Sequence, residues 1–150
     1  MQTLSYSIRI TAPKEKVWWM MLGEKGYKRW TSVFDPGSHY EGTWEEGTKM
    51  KFLNGDGEGM VSSVVANNLF AFVSVMHERS IKENLEENEE PDPDFYPAFE
   101  EYKFTETNGV TEVKVSVDSP DEYLEMMNVL FPKALKKLKA MCEAQMVHAE

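Results

Sequence analysis

The residues of this sequence best suited to chemistry are a histidine and a carboxylate, His77 and Glu100, which fall in two predicted β-strands. Side chains alternate between the two faces of a strand, so Glu100 shares a face with Tyr102 and Phe104. If those rings point into the core, Glu100 does too, and a buried carboxylate needs a partner or a raised pKa. Glu100 is therefore a candidate ligand anchor or acid/base group, and pairing with His77 would suit proton transfer.

Both residues also have a simpler structural interpretation. Glu100 can sit at the mouth of its strand, half in water or paired with Arg79, and His77 can make one structural hydrogen bond at a strand end. The sequence shows no nucleophile motif around a serine, no phosphate-binding loop before a helix and no metal-ligand cluster. We therefore assign no catalytic residue, and we predict neither a cofactor nor a metal.

Apolar side chains supply the candidate walls of a binding cavity. The ten methionines favour an adaptable apolar pocket, because thioethers reshape easily, but core filling explains them equally well. The same two interpretations apply to every candidate wall residue, namely Tyr40, Trp44, Phe52, Met60, Phe72, Met127, Phe131 and Leu135. Together with His77, Glu100, Tyr102 and Phe104, they form the predicted ligand-binding set.

Composition limits the possible partners. The 150 residues predict a single domain, and the net charge of −10 argues against nucleic acid and anionic membranes as partners. Neither a signal peptide nor an apolar run long enough to cross a bilayer is recognisable. The single cysteine, Cys142, cannot form an internal disulfide and is expected to be a small core residue. We therefore expect a cytoplasmic protein without membrane insertion.

The elements that must position these residues are mostly strands. Alternation predicts a strand at residues 4–10, and two short helices follow, one opening near Pro13 and one at residues 24–30. Two of the later strands, at 58–66 and 69–78, carry apolar residues on both faces, which indicates a central position, a covered outer face or a dimer contact. The remaining predicted strands are residues 38–44, 48–53, 100–107 and 110–117.

The C-terminal residues 119–150 predict a helical region with one apolar stripe that needs a cover. Ser119 is a candidate cap, and Pro132 should divide the region into a short helix to about residue 130 and a main helix from 132 to about 146. Residues 82–94 are strongly acidic and predict a long flexible loop.

This order of elements resembles the helix-grip fold of the START-like superfamily, also called SRPBCC. Four segments narrow the resemblance to the branch related to the C-terminal domain of the activator of Hsp90 ATPase. They are residues 10–18 (ITAPKEKVW), Trp30, residues 42–47 (GTWEEG) and residues 131–139 (FPKALKKLK), where Phe131 replaces the tryptophan of the branch. The acidic segment departs from the pattern.

The resemblance implies an α+β fold in which a curved antiparallel sheet wraps a long C-terminal helix, with a cavity between them. Three functions follow as hypotheses. The first is a carrier or sensor of a small apolar ligand. The second is a cyclase- or hydrolase-like enzyme using His77 and Glu100 as acid and base. The third is an interaction module that dimerises or binds a partner through its two-sided apolar strands.

Overall fold

The structure, a computed structural model, describes residues 1–81 and 96–148 of the chain. The predicted acidic loop at residues 82–94 lies outside the described residues. Within the described ranges, the elements follow the order β1 (Gln2–Ile10), α1 (Lys14–Leu22), α2 (Glu24–Thr31), β2 (His39–Glu41), β3 (Lys49–Leu53), β4 (Gly59–Asn68), β5 (Phe72–Ile81), β6 (Ala98–Thr107), β7 (Val110–Ser119), a 3-10 turn (Asp121–Tyr123) and α3 (Leu124–His148).

The strands of the described residues form one antiparallel sheet in the spatial order β1-β7-β6-β5-β4-β3-β2. The chain therefore runs from one edge through α1 and α2 to the other edge and returns by neighbouring strands. Asn108 and Gly109 form the hairpin turn between β6 and β7, with φ of 51° and 79° at the two residues. The sheet curves around α3, which confirms the predicted α+β helix-grip architecture.

The apolar stripe of α3 packs into the sheet as its spacing predicts. Its core residues are all at most 5% exposed: Phe131, Ala134, Leu135, Leu138, Met141 and Cys142. Tyr6 of β1 stacks on Phe131 with ring centroids 4.9 Å apart and donates its hydroxyl hydrogen to Asn128 Oδ1 at 2.7 Å. These contacts fix the first turns of α3 against the edge strand β1.

The predicted division of the C-terminal region at Pro132 is wrong, because α3 runs through this residue. A proline inside a helix removes one amide donor and bends the axis, yet burial on both sides of it can hold the helix together. Asn128, before Pro132, accepts a hydrogen bond from Tyr6, and Leu135, after it, is buried in the core. Ser119 ends β7 instead of capping a helix, and its buried hydroxyl bonds to Pro120 O at 3.1 Å.

Candidate functional site

A groove lies between the concave face of the sheet, α2 and the first half of α3. It consists of two adjoining pockets that share Met60, Glu100 and Met127 in their linings. The aromatic pocket has a volume of about 280 Å³ and is lined by rings from α2, β3 and α3. The histidine pocket, of about 270 Å³, lies on the other side of Glu100 toward His77 and the end of β7. The flexible Met60 and Met127 side chains border both pockets.

Four polar side chains on neighbouring strands form a hydrogen-bonded chain at the floor of this groove. Ser62 Oγ lies 2.6 Å from His77 Nδ1, and His77 Nε2 lies 3.1 Å from Glu100 Oε1. The Tyr102 hydroxyl donates to Glu100 Oε2. When His77 is neutral, a proton on Nε2 donates to Glu100, and Nδ1 accepts the hydroxyl hydrogen of Ser62. Every member of the chain then has a partner.

Strand register explains why these residues meet. Ser62 and His77 are opposite each other in β4 and β5, next to an irregularity of the ladder between Val61 and Ser62. Glu100 pairs with Val75, so it lies diagonally from His77 across β5 and β6. Glu100 and Tyr102 are two residues apart on one face of β6, as the alternation predicts.

Burial separates the roles of the four groups. Ser62, His77 and Tyr102 are 0%, 4% and 2% exposed, whereas the Glu100 side chain is 22% exposed. Glu100 is therefore the member that a bound molecule can reach, and it borders both pockets. His77 and Tyr102 hold its carboxylate in place from behind, and Ser62 holds His77.

The surroundings of Tyr27 in the aromatic pocket keep its phenol group neutral. Burial raises the pKa of Tyr27, and the negative charge of Glu100 raises this pKa further. The ring of Tyr27 contacts Trp30 and Phe52 with centroid separations of 5.8 and 6.1 Å. The pocket thus combines a neutral aromatic wall with one carboxylate that has its own donors.

The serine–histidine–glutamate sequence of contacts does not make Ser62 a nucleophile. Ser62 is completely buried, so a substrate carbonyl has no approach to its oxygen. Both nitrogens of His77 already have partners. Acid/base chemistry in this groove would therefore have to start at Glu100, where a reacting atom can come within hydrogen-bond reach.

The structure brings together half of the predicted ligand-binding set in the aromatic pocket: Phe52, Met60, Glu100, Tyr102, Met127 and Phe131. His77 lines the histidine pocket. Tyr40 and Trp44 stand behind Phe52, and both donate hydrogen bonds to Leu22 O. Phe104 and Leu135 are buried core residues outside both linings.

The prediction that Phe72 is a wall of the cavity needs correction. Along β5, Val73, Val75 and His77 point to the concave face, so alternation turns Phe72 to the opposite face. There it lines a separate pocket of about 450 Å³ together with Glu101, Lys103 and Lys114. The apolar residues on both faces of β5 made this side ambiguous in the sequence.

Sequence reasoning missed the contribution of α2 to the aromatic pocket. Tyr27, Trp30 and Thr31 of α2 line it, and Phe34 joins them from the turn that follows the helix. In the sequence, the other three residues lie three, four and seven positions after Tyr27, a spacing typical of one helix face. This apolar spacing in the sequence indicates that one face of α2 is buried. It shows that α2 forms part of the pocket wall and does more than link β1 to β2.

Other kinds of site are not found in the part of the chain that the structure describes. Among residues 1–81 and 96–144, whose side chains the structure describes, no group of three His, Cys, Asp or Glu is arranged to hold a metal ion. No helix in these ranges is both long and apolar enough to cross a membrane.

An antiparallel sheet that grips a long C-terminal helix and leaves a pocket between them defines the START-like class of α+β proteins. Within that class, the chain belongs to the family described as Activator of Hsp90 ATPase homolog 1-like protein, whose profile matches residues 11–143. The branch predicted from the four sequence segments is thus confirmed.

Three solved structures that share the fold are distant from this chain in sequence. Protein MLL2253 from Mesorhizobium loti is 15% identical, with a TM-score of 0.74 and coverage of 95% of this chain and 98% of that chain. The Aha1 dimer from Colwellia psychrerythraea is 17% identical, with a TM-score of 0.71 and coverage of 95% and 97%. DynU16, from the dynemicin biosynthetic locus, is 11% identical with a TM-score of 0.70, and the match covers 95% of this chain and 48% of DynU16. These likenesses establish the fold. No curated protein sequence matches the chain significantly.

Proposed function

We propose that this protein is a carrier or sensor that binds a small apolar ligand in the groove between α3 and the sheet. The observation that carries the proposal is the Glu100 carboxylate, held by two donors and open to two adjoining apolar pockets. Binding sites of small molecules combine apolar walls with a few placed polar groups, and this groove has both. The unpaired Cys142 supports a reducing, cytoplasmic location as part of the proposal.

The two methionines shared by the pockets give the groove an adjustable size. Either pocket alone is small for a ligand site, since typical sites measure about 300–1,000 Å³. Rotation of Met60 or Met127 would join the two volumes into one cavity with Glu100 at its centre. A ligand longer than one pocket would then lie along the groove.

A blocking substitution tests this proposal. Native mass spectrometry of the purified protein should show a co-purified small molecule, and NMR titration with n-octanol should shift the Trp30 indole resonance saturably. Met127→Trp should fill the space between the pockets and abolish both signals. Val129→Trp, two residues along α3 at a position 54% exposed, is the matched control and should bind normally. Equal binding by both folded variants would refute the proposed site.

A second candidate is general-base chemistry at Glu100, which the 3.1 Å contact with His77 favours. An apolar ketone in the groove would lose an α-proton to Glu100 Oε, that proton would exchange with solvent, and the Glu100 carboxyl would return a solvent-derived proton to the α-carbon. The probe is methyl hexyl ketone in deuterated buffer, with deuterium uptake measured by mass spectrometry. Glu100→Gln should abolish the enzymatic exchange, and Glu101→Gln on the opposite face should retain it. Exchange at the buffer rate with the native protein would exclude this candidate.

A third candidate is a homodimer formed through the outer face of the sheet. Phe72 and Met76 are half-buried there, and Phe99, which pairs with Met76, is 39% exposed. One structural neighbour, Aha1 from Colwellia psychrerythraea, is itself a dimer, and this likeness supports the candidate. Analytical ultracentrifugation should give the mass of a dimer, and Phe99→Lys should reduce it to a monomer while Val129→Lys does not. A monomeric native protein would remove this candidate.

A further inference from the structure

The charges around the groove discriminate between classes of apolar ligand. The acidic residues among the two linings are Glu58, Glu100 and Asp118, and the Asp118 carboxylate accepts hydrogen bonds from the Thr3 hydroxyl and the Phe99 backbone N–H. Among the described residues, neither lining contains a lysine or an arginine. None of the three carboxylates forms an ion pair with lysine or arginine within the described ranges. An anionic head group such as a fatty-acid carboxylate would thus meet like charge without a counterion, which costs free energy on burial.

The aromatic wall favours the opposite charge. Phe131 lies next to Trp30 and Phe34, with ring centroids 6.4 and 5.0 Å away, and Tyr27 and Phe52 continue this cluster. The faces of aromatic rings attract cations, and this attraction strengthens where water is excluded. The rings and the Glu100 carboxylate border the same pocket, so an ammonium group could contact both at once.

The Glu100 carboxylate has the right capacity for a third donor. Each of its oxygens accepts one hydrogen bond, from His77 at Oε1 and from Tyr102 at Oε2. A carboxylate has about four acceptor positions, so free lone pairs remain for a ligand. A ligand N⁺–H donor would form a charge-assisted bond there, stronger than the bond of a neutral hydroxyl.

We propose that the ligand is an apolar molecule that carries a protonated amine, with its ammonium group on Glu100 and its apolar body along the aromatic pocket. This inference rests on the proposed function and names the chemical class of its ligand.

Three probes of equal chain length test the inference at neutral pH: n-octylamine, n-octanol and n-octanoate. We expect the amine to bind about tenfold more tightly than the alcohol, since a charge-assisted bond exceeds a neutral one by about this factor. Octanoate should bind most weakly. Glu100→Gln keeps the shape of the side chain but removes its charge, and it should lower the affinity for the amine to that for the alcohol.

Glu101→Gln is the matched control, because Glu101 is the next residue on the opposite face, where Ser74 bonds to it. It removes the same charge and should leave all three affinities unchanged. Repeating the titrations at high salt separates a site contact from the general attraction of an acidic protein, which salt screens. Equal affinity for amine and alcohol, or an unchanged amine affinity in Glu100→Gln, would overturn this inference while leaving the proposed function standing. Failure of all three probes would overturn the proposed function itself.

Discussion

At the scale of single residues, the buried network is stable because each polar group has a partner. An unsatisfied buried hydroxyl or carboxylate costs free energy, and a complete network avoids that cost. Among the described residues, no buried side-chain nitrogen or oxygen lacks a hydrogen bond. Removing one donor from Glu100 should therefore be felt both in stability and in binding.

The first prediction concerns the hydroxyl of Tyr102. Tyr102→Phe keeps the ring but leaves Glu100 with the His77 donor alone, so we expect the free energy of unfolding to fall by about 1–2 kcal/mol. Urea unfolding followed by circular dichroism measures the change. Tyr6→Phe is the control, because the Tyr6 hydroxyl bonds to Asn128 in exposed surroundings and its loss should cost less. Equal effects of the two variants would contradict the role given to the network.

Cys142 gives a second prediction at this scale. Burial, the largest cause, raises the pKa of this thiol to about 12, and the residue is 0% exposed. The thiolate is the reactive species, so at pH about 8 the native protein should resist a disulfide reagent for hours. Adding urea to unfold the chain should release one reactive thiol per molecule. Rapid modification of the folded protein would show that the last turns of α3 open readily.

At the scale of elements, the Glu143 carboxylate joins α3 to the turn between β1 and α1. Glu143 Oε2 accepts hydrogen bonds from Lys139 Nζ at 2.7 Å and from the Thr11 backbone N–H at 2.9 Å. The Lys139 bond is the larger cause and the Thr11 bond the second, and together they lower the pKa of Glu143. This side chain therefore connects the long helix to the turn after β1.

A lowered pKa in the folded state fixes the sign of the pH dependence. The contribution of Glu143 is complete above the pKa of the unfolded chain, about 4.3, and is lost as pH falls through the lower folded pKa. Glu143→Gln should thus cost about 0.5–1 kcal/mol at pH about 7, reduced by the partial exposure of the pair, and progressively less below pH about 4. Urea titrations across this range test it. Glu45→Gln, in the exposed turn before β3, is the control expected to stay near the native value. If Glu143→Gln lowered the free energy of unfolding equally at every pH, the lowered pKa of Glu143 would not be the cause of its contribution.

Regular alternation made most strands and the Glu100–Tyr102–Phe104 face predictable from the sequence, because one buried face leaves a period of two. Three features escaped for physical reasons. Phe72 lies in a strand with apolar residues on both faces, so the alternation of residue types does not show which face is buried. Ser62 meets His77 beside a ladder irregularity, which single-strand patterns do not reveal. Pro132 stays inside α3 because tertiary packing outweighs a local helix-breaking preference.

At the scale of the whole molecule, a groove lies where a filled hydrophobic core would otherwise be. The sheet, α2 and α3 surround space that side chains do not fill. The residues that line each pocket therefore lack the van der Waals contacts that a filled core would provide. A ligand in the groove would restore those contacts. Because the lining comes from α2, several strands and α3, the site exists only when the whole domain is folded.

The last prediction follows from this coupling. A ligand that binds the folded chain alone adds stability that grows with its concentration, by about 2.7 kcal/mol at one hundred times its Kd. For a domain of this length, such a gain should raise the melting temperature by roughly 5–10 °C. Differential scanning calorimetry with increasing n-octylamine measures it. Met127→Trp provides the decisive comparison, because its blocked groove should melt at the same temperature with or without the amine, and Val129→Trp should respond as the native protein does. An equal shift in all three proteins would mean that the amine acts on the acidic surface, since surface charge is common to them and an open groove is not.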